Sequence, residues 1–440
     1  MIRRLSATLI AVVSFVSLSL GGTDARAQSG PQLTLDEALA KARQRNWSLA
    51  AEKERLAGVQ TSVASAWSLL LPTIAAQGRY TRNYAKFEFG TGPGMGGMPA
   101  ETLLIQPVNQ LDGVINFTAP LIVPAAYPGL KSVKANVASA EASYESSVDS
   151  VLFTVAQTFY GAAGSDQVLV ARESSISVAK ATLVNAQTRL AAGTVTKVDV
   201  DRAELALVRE QQLLVEARDL REQLYRSLRT LTGIRETFTV VTTESPTPPP
   251  STQDDLPAVL QLRPEFRALE RSTEAYHLSV ITDALKWSPS LSAFGNARRF
   301  NYDNFNRDNY SWAVGLQLDW LIFDGGARDS QRHLAAAQER EAKARAQVLT
   351  DNISDALADA RSQFATKHAG VVASERARTL AKETLELVRT QYEAGTITQV
   401  DLLQAQDNLV GSELALARAR FDLNVADLTY RHANGTFPPK

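Results

Sequence analysis

Two stretches of this chain are nearly one stretch written twice. Residues 192–208 read AGTVTKVDVDRAELALV and residues 394–410 read AGTITQVDLLQAQDNLV, a constant offset of 202. Identity continues without a gap through Ala217/Ala419, Arg218/Arg420 and Gly233/Gly435. Two further matches, residues 49–72 against 266–289 and Leu121-Ile122 against Leu321-Ile322, extend the duplication at offsets of 217 and 200. A chain built this way must fold twice into one plan, with loops of different length absorbing the changing offset. The expected units are residues 28–245 and 246–440.

Each copy has the same internal order. A helical stretch rich in Ala, Leu, Glu and Arg ends at a proline, residues 38–71 before Pro72 and 258–288 before Pro289, the second interrupted early by Pro264. The residue before a proline is steered away from the helical region, which sets that end. Two short alternating segments around a loop come next. A proline-free helical pattern follows, over about 129–190 in the first copy and 326–392 in the second. At 1.5 Å per residue, each reaches about 90–100 Å. Ala-Gly-Thr turns close both helices, and another helix returns to Gly233 or Gly435. Helical hairpins of this length exceed the width of an ordinary globular domain.

The alternating segments have the period of strands with one apolar and one wet face. In 74–84, Ile74, Ala76, Gly78 and Tyr80 alternate with Ala75, Gln77, Arg79, Thr81 and Asn83. In 111–119, Leu111, Ile115 and Phe117 oppose Asp112, Asn116 and Thr118. In 310–323, Trp312, Val314, Leu316, Leu318 and Trp320 alternate with Ser311, Ala313, Gly315, Gln317 and Asp319. Taken singly, each equally describes a strand half-buried in a soluble core. Four such segments, two per copy, in an exported chain favour an outer-membrane barrel, for which Tyr80, Tyr84, Tyr310, Trp312 and Trp320 suit the interfacial aromatic girdles. Four strands cannot close a barrel, and open edges in lipid leave backbone groups unpaired, so the chain is expected to oligomerise.

Export is read from the N-terminus. Arg3 and Arg4 precede a mostly apolar run, 5–20, broken by Ser14, Ser17 and Ser19, and Ala25-Arg26-Ala27 offers a small-x-small cleavage pattern. Residues 1–27 are the expected signal peptide, leaving Gln28 first and, with no cysteine in the chain, no lipid anchor. The absence of cysteine also excludes disulfides and thiolate metal sites, and His277, His333, His368 and His432 stand at no metal-ligand spacing. With 46 basic and 47 acidic residues there is no charge surplus for nucleic acid. A G-x-G-x-x-G string at 92–97 neither follows a strand into a helix nor lies in a βαβ unit, and reads as a surface loop. No nucleophile constellation, metal cluster or phosphate loop can be assembled, so an enzyme is not expected.

The duplicated plan, the Leu71-Pro72 and Ser288-Pro289 helix ends, the Leu-Ile-Phe-Asp-Gly-Gly run at 321–326 and the twin Ala-Gly-Thr-x-Thr-x-Val-Asp tips resemble the TolC family of outer-membrane efflux proteins over residues 33–435. The resemblance implies a mostly α chain with a membrane β-barrel portion. In it, three copies pool four strands each into a 12-stranded outer-membrane barrel, continued by an α-helical barrel across the periplasm. It implies a homotrimer in outer-membrane lipid, working with a periplasmic adaptor protein and an inner-membrane pump, without cofactor, metal or nucleic acid. The stretch from Phe238 through Pro246, Pro248, Pro249 and Pro250 suits the family's equatorial belt, or a plain linker.

By the same resemblance, Gly193-Thr194 and Gly395-Thr396 meet the adaptor, and Asp401 projects into the periplasmic entrance as a ring of three carboxylates whose mutual repulsion raises their pKa. Gln404 stands where family members often carry a second aspartate, so a second ring is not expected. Tyr392 and Asp199 match an entrance latch, but Ile397 occupies the position of its basic member, leaving packing and a Tyr392–Asp199 hydrogen bond. Without the resemblance, the glycines close turns and both aspartates suit helix N-caps. The resulting reading is an exit duct for tripartite efflux or type I secretion. The alternative, an exported coiled-coil scaffold, explains the helices and leaves the amphipathic strands without a purpose.

Overall fold

Small residues spaced by sevens let the long helices lie side by side. In the computed structural model, which describes residues 31–90, 102–242, 246, 255–302 and 308–438, the first copy comprises β1 (Gln32–Leu33), α1 (Leu35–Arg45), α2 (Trp47–Ser68), β2 (Thr73–Arg82), β3 (Phe87–Gly90), β4 (Thr102–Gln106), β5 (Asn109–Ile122), α3 (Ala126–Ala191), α4 (Lys197–Thr232) and β6 (Thr239–Val240). The second comprises α5 (Leu256–Leu262), α6 (Pro264–Leu285), β7 (Ser290–Phe300), β8 (Tyr310–Asp319), α7 (Ala327–Glu393) and α8 (Gln399–Ala433). The buried alanines 135, 142 and 156 of α3, and 335 and 342 of α7, repeat at seven or twice seven, the period at which a helix keeps one face on its neighbour. Ser132 and Ser139 of α3 donate to the carbonyls of Ala275 and Ala268 across the joint with α6, at 2.8 and 2.7 Å.

The helix expected over 38–71 is two helices. Asn46 is extended at φ −71°, ψ 123°, and its side-chain oxygen caps the Ser48 and Leu49 amides while its amide nitrogen donates to the Leu231 carbonyl. That break lays α1 on α3 and α4, and the Gly233 turn packs closely on Arg45. Here Leu33, Leu39, Phe159, Leu228, Phe238 and Phe437 form the larger core, and β1 pairs in parallel with β6. The Phe238 stretch therefore begins as a packed strand and not as a plain linker. A smaller core joins Val259 of α5, Ile353 and Leu357 of α7, and Tyr430 of α8. The expected signal peptide, the 92–97 loop, Pro248 to Pro250 and the 245/246 junction lie wholly or partly outside the described residues.

Strands β2, β5, β7 and β8 form one antiparallel sheet in that order, leaving β2 and β8 as edges. The register puts Tyr80 opposite Leu111, Ile74 opposite Phe117, and Trp312 opposite Ala297, so most of the large apolar residues share one face, while Val114, Phe294 and Phe300 lie on the other. Ile74, Val314 and Leu316 are about 70% exposed there, at 75, 73 and 67%. The opposite face carries Asp112, gripped by Arg298, Gln110 and Tyr302. The last strand ends at Asp319, short of the expected 323: Asp324 instead accepts from the Gly326 and Arg328 amides and turns the chain into α7. A small hairpin, β3 with β4, was not anticipated from sequence. Among the described residues, no helix is long and apolar enough to cross a membrane.

Candidate functional site

Both hairpin tips close by the same hydrogen bonds. After α3, Gly193 turns at φ 73° and the Thr194 amide reaches back to the Arg189 carbonyl at 3.0 Å; after α7, Gly395 turns at φ 74° and the Thr396 amide reaches Gln391 at 3.0 Å. Each threonine hydroxyl donates to the same carbonyl, also at 3.0 Å. This six-residue closure satisfies carbonyls that the helix end leaves open and requires a left-handed residue, which is why glycine stands there.

The returning helices start with matching capping boxes. Asp199 accepts from the Thr196 amide and hydroxyl at 3.0 and 2.7 Å, and Asp401 does so from Thr398 at the same distances. These hydrogen bonds, from the threonine side chain first, hold both carboxyls below the ordinary aspartate pKa; Arg202 adds to the effect on Asp199. In the single chain the direction is thus opposite to the rise expected of a carboxylate ring. Gln404 is exposed and bonds to Asn408 within its own helix.

The expected Tyr392–Asp199 hydrogen bond does not form. Asp199 is occupied by its own cap, and Tyr392, 5% exposed, lies beneath the Arg189 guanidinium at 4.3 Å from the ring centroid. Both terminal nitrogens of Arg189 donate to the Tyr392 carbonyl at 3.3 Å. Arg189 of α3 thus sets a cation on Tyr392, whereas Ile397 carries none. Gln399, 4% exposed, makes the second crossing, donating to the Asp199 backbone carbonyl at 2.9 Å while its own side-chain oxygen is buried without a partner. Sequence reasoning missed both residues. Arg189 had a signal, a cation in the last helical turn, whereas Gln399 had none.

Above the tips a cavity of about 390 Å³ separates the hairpins, bordered by the Arg172–Glu210 ion pair and by Asp407. Burial and the Glu210 charge push Asp407 upward against a smaller opposing effect of Arg209. Below the cavity, Gln406 of α8 donates to the Thr182 hydroxyl of α3 at 3.0 Å.

At the sheet, Tyr80, Tyr310 and Trp312 stand at the end far from the long helices, while Trp320 stands at the helical end, donating to the Trp287 carbonyl at 3.2 Å. Tyr84 lies past β2, off the strand. Ten residues separate Tyr310 from Trp320; at about 3.3 Å each and a tilt near 40°, that is about 25 Å, the height of an outer-membrane apolar band. Among the described residues, no three His, Cys, Asp or Glu side chains are placed to hold a metal.

A family model described as outer membrane efflux protein matches residues 38–234 and 256–436, one match per copy. The outer membrane efflux protein BepC of Brucella suis biovar 1 (strain 1330) is 28% identical over 128 residues, 29% of this chain and 28% of BepC. Nodulation protein T of Rhizobium leguminosarum bv. trifolii is 25% identical over 310 residues, 65% of this chain and 64% of that protein. The matches thus span less than two thirds of these relatives. In fold, the crystal structure of the outer membrane protein VceC from Vibrio cholerae superposes with a TM-score of 0.76 at 18% identity, covering 91% of this chain and 96% of VceC.

Proposed function

Since this chain belongs to the outer membrane efflux protein family, we propose that it is the outer-membrane exit duct of a tripartite efflux or type I secretion system. Three copies would join their four-stranded sheets edge to edge into a 12-stranded barrel, and their helices would continue the wall across the periplasm to an adaptor and an inner-membrane pump. The observation that carries this is the sheet itself: two unpaired edges, one face apolar and exposed along most of its length, with Arg82, Asn109 and Arg299 only toward the end far from the helices, and the other face holding Asp112 and Arg298. A charged residue facing lipid at mid-membrane costs about 2–4 kcal/mol, so the charged face lines the lumen and the apolar face meets lipid. A water-soluble scaffold would leave that apolar face in water.

At the other end, the tips close the duct. Arg189 clamps the Tyr392 segment and Gln399 ties the hairpins together, so opening separates α3 from α7 and α8 from α4 at those two crossings. Asp401 supplies a charge to the entrance, Gln404 leaves it a single layer, and Gly193-Thr194 and Gly395-Thr396 present the turns to the adaptor. Tyr80, Tyr310 and Trp312 form one girdle and Trp320 the other, with Tyr84 above the first. The decisive experiment is membrane fractionation followed by sizing in mild detergent and planar-bilayer recording. The expected result is an outer-membrane trimer that conducts; a detergent-independent, folded monomer would end the proposal.

A further inference from the structure

One part of the lipid-facing surface is neither flat nor wholly apolar. The cross-strand row Gly78–Gly113–Arg299–Tyr310 runs over all four strands on the face shared by Tyr80, Ile115 and Trp312. Its two glycines leave a groove of about 550 Å³, walled by Ile115 and Trp312 and ended by Arg299 and Tyr310. A side-chain carbon at Gly78 would meet no atom within 4 Å, so the groove is open and packing does not demand glycine there. Arg299 is exposed and its guanidinium makes no hydrogen bond or ion pair among the described residues. Strand parity puts Arg82 on the same face, past Tyr80.

An unpaired arginine in the middle of a row whose neighbours toward the helices are Ile, Leu, Val and Trp needs a partner at that depth. It stands level with Tyr310, about 25 Å from the Trp320 end, where a bilayer's hydrocarbon gives way to headgroups. Guanidinium is the side chain suited to bidentate contact with phosphate oxygens, and the apolar groove below it has the breadth of acyl chain. We infer that the Gly78–Gly113 groove and Arg299 form a binding site for a phosphorylated, acylated lipid of the outer leaflet, its phosphate on Arg299 and a chain along the glycines. The inference rests on the proposed reading that this face meets the outer membrane with the helices on the periplasmic side.

The test is native mass spectrometry of the full-length protein in mild detergent, with a bisphosphorylated, multiply acylated glucosamine disaccharide as probe and its dephosphorylated form as control. Wild type should retain the phosphorylated lipid. Arg299→Gln and Gly78→Leu, which removes the charge and fills the groove respectively, should each lower retention at least tenfold, with bilayer conductance unchanged and the dephosphorylated lipid bound equally weakly by all. Equal retention by wild type and both variants in a conducting channel overturns this inference alone. Displacement by millimolar inorganic phosphate also overturns it, by marking a site for free phosphate. A protein that neither fractionates with the outer membrane nor conducts overturns the duct reading, and this inference with it.

Discussion

At the first tip Gly193 turns at φ 73° and Thr194 binds back to Arg189; at the second Gly395 turns at φ 74° and Thr396 binds back to Gln391. The backbones coincide, but the side chains that cross between the hairpins do not. By the 202-residue offset, Arg189 corresponds to Gln391, Tyr392 to Leu190 and Gln399 to Lys197. Turn closure is a local requirement that each copy satisfies for itself, so duplication preserves it. The crossings between copies run from Arg189 of α3 to Tyr392 of α7 and from Gln399 of α8 to Asp199 of α4, and because the duplicated positions carry Gln391, Leu190 and Lys197, each crossing is made in one direction only.

The largest effect is expected where the tips are alike. A Cβ at Gly395 or Gly193 would meet no atom within 4 Å, so the cost of valine there lies chiefly in the left-handed backbone, about 1–2 kcal/mol per site. Gly395→Val should abolish export and adaptor crosslinking while trimers still insert; Gly193→Val should do the same if both tips dock. Normal efflux and crosslinking in both variants would remove the tips from docking.

Next comes a site where the tips differ. Arg189→Ala removes a cation–π contact and two hydrogen bonds, together about 2 kcal/mol, and should raise resting single-channel conductance. Its counterpart, Gln391→Ala, should change nothing. Equal conductance of the two variants in planar bilayers would show that the asymmetry has no part in closure.

A smaller effect lies midway along the helices. Asp149 occupies the seven-residue series of Ala135, Ala142 and Ala156, and burial, then Glu265 and Glu145, push it up to about 6, with Arg43 and Arg263 opposing. Its counterpart Asp351 is exposed and accepts from Gln347. The folded chain holds the proton that the unfolded chain gives up, so the penalty is complete above about pH 6 and fades as pH falls toward 3.8. A two-unit shift is about 3 kcal/mol at most, and about 1 kcal/mol once the half-exposed site is screened by solvent. Asp149→Asn should therefore raise the unfolding temperature at pH 7.5 and leave it nearly unchanged at pH 4; Asp351→Asn should do neither.

The smallest effect concerns the paired caps. Asp401→Asn should cut cation preference severalfold in reversal-potential measurements, while Asp199→Asn, which loses the same cap, should leave it intact. Because capping holds Asp401 below the ordinary aspartate value, the wild-type preference should persist down to pH 5. Equal selectivity of wild type and Asp401→Asn would leave Asp401 as a helix cap alone.

Most of the fold was legible because it is written in periodicities and in turn residues. Helical periodicity placed the two long helices, α3 of 66 residues, which starts before the expected 129 and takes Pro128 into its first turn, and α7 of 67, and alternation placed three strands of the sheet within a few residues of their bounds. The site was less legible. Asn46 reads as one more polar residue until its side chain is seen bonded to Leu231, and Arg189 gives no hint in sequence of its partner Tyr392, 203 residues later.

What the sequence determined by itself was the duplicated plan, the long helices, the glycine turns and the capping boxes, because each depends on residues within one or two helical turns or on the strand period of two. What only the tertiary structure decided was the strand register, the burial of Asp149 and the two crossings at the tips. These depend on which helix or strand lies beside which, and side chains distant in sequence acquire partners only when packing sets that neighbourhood.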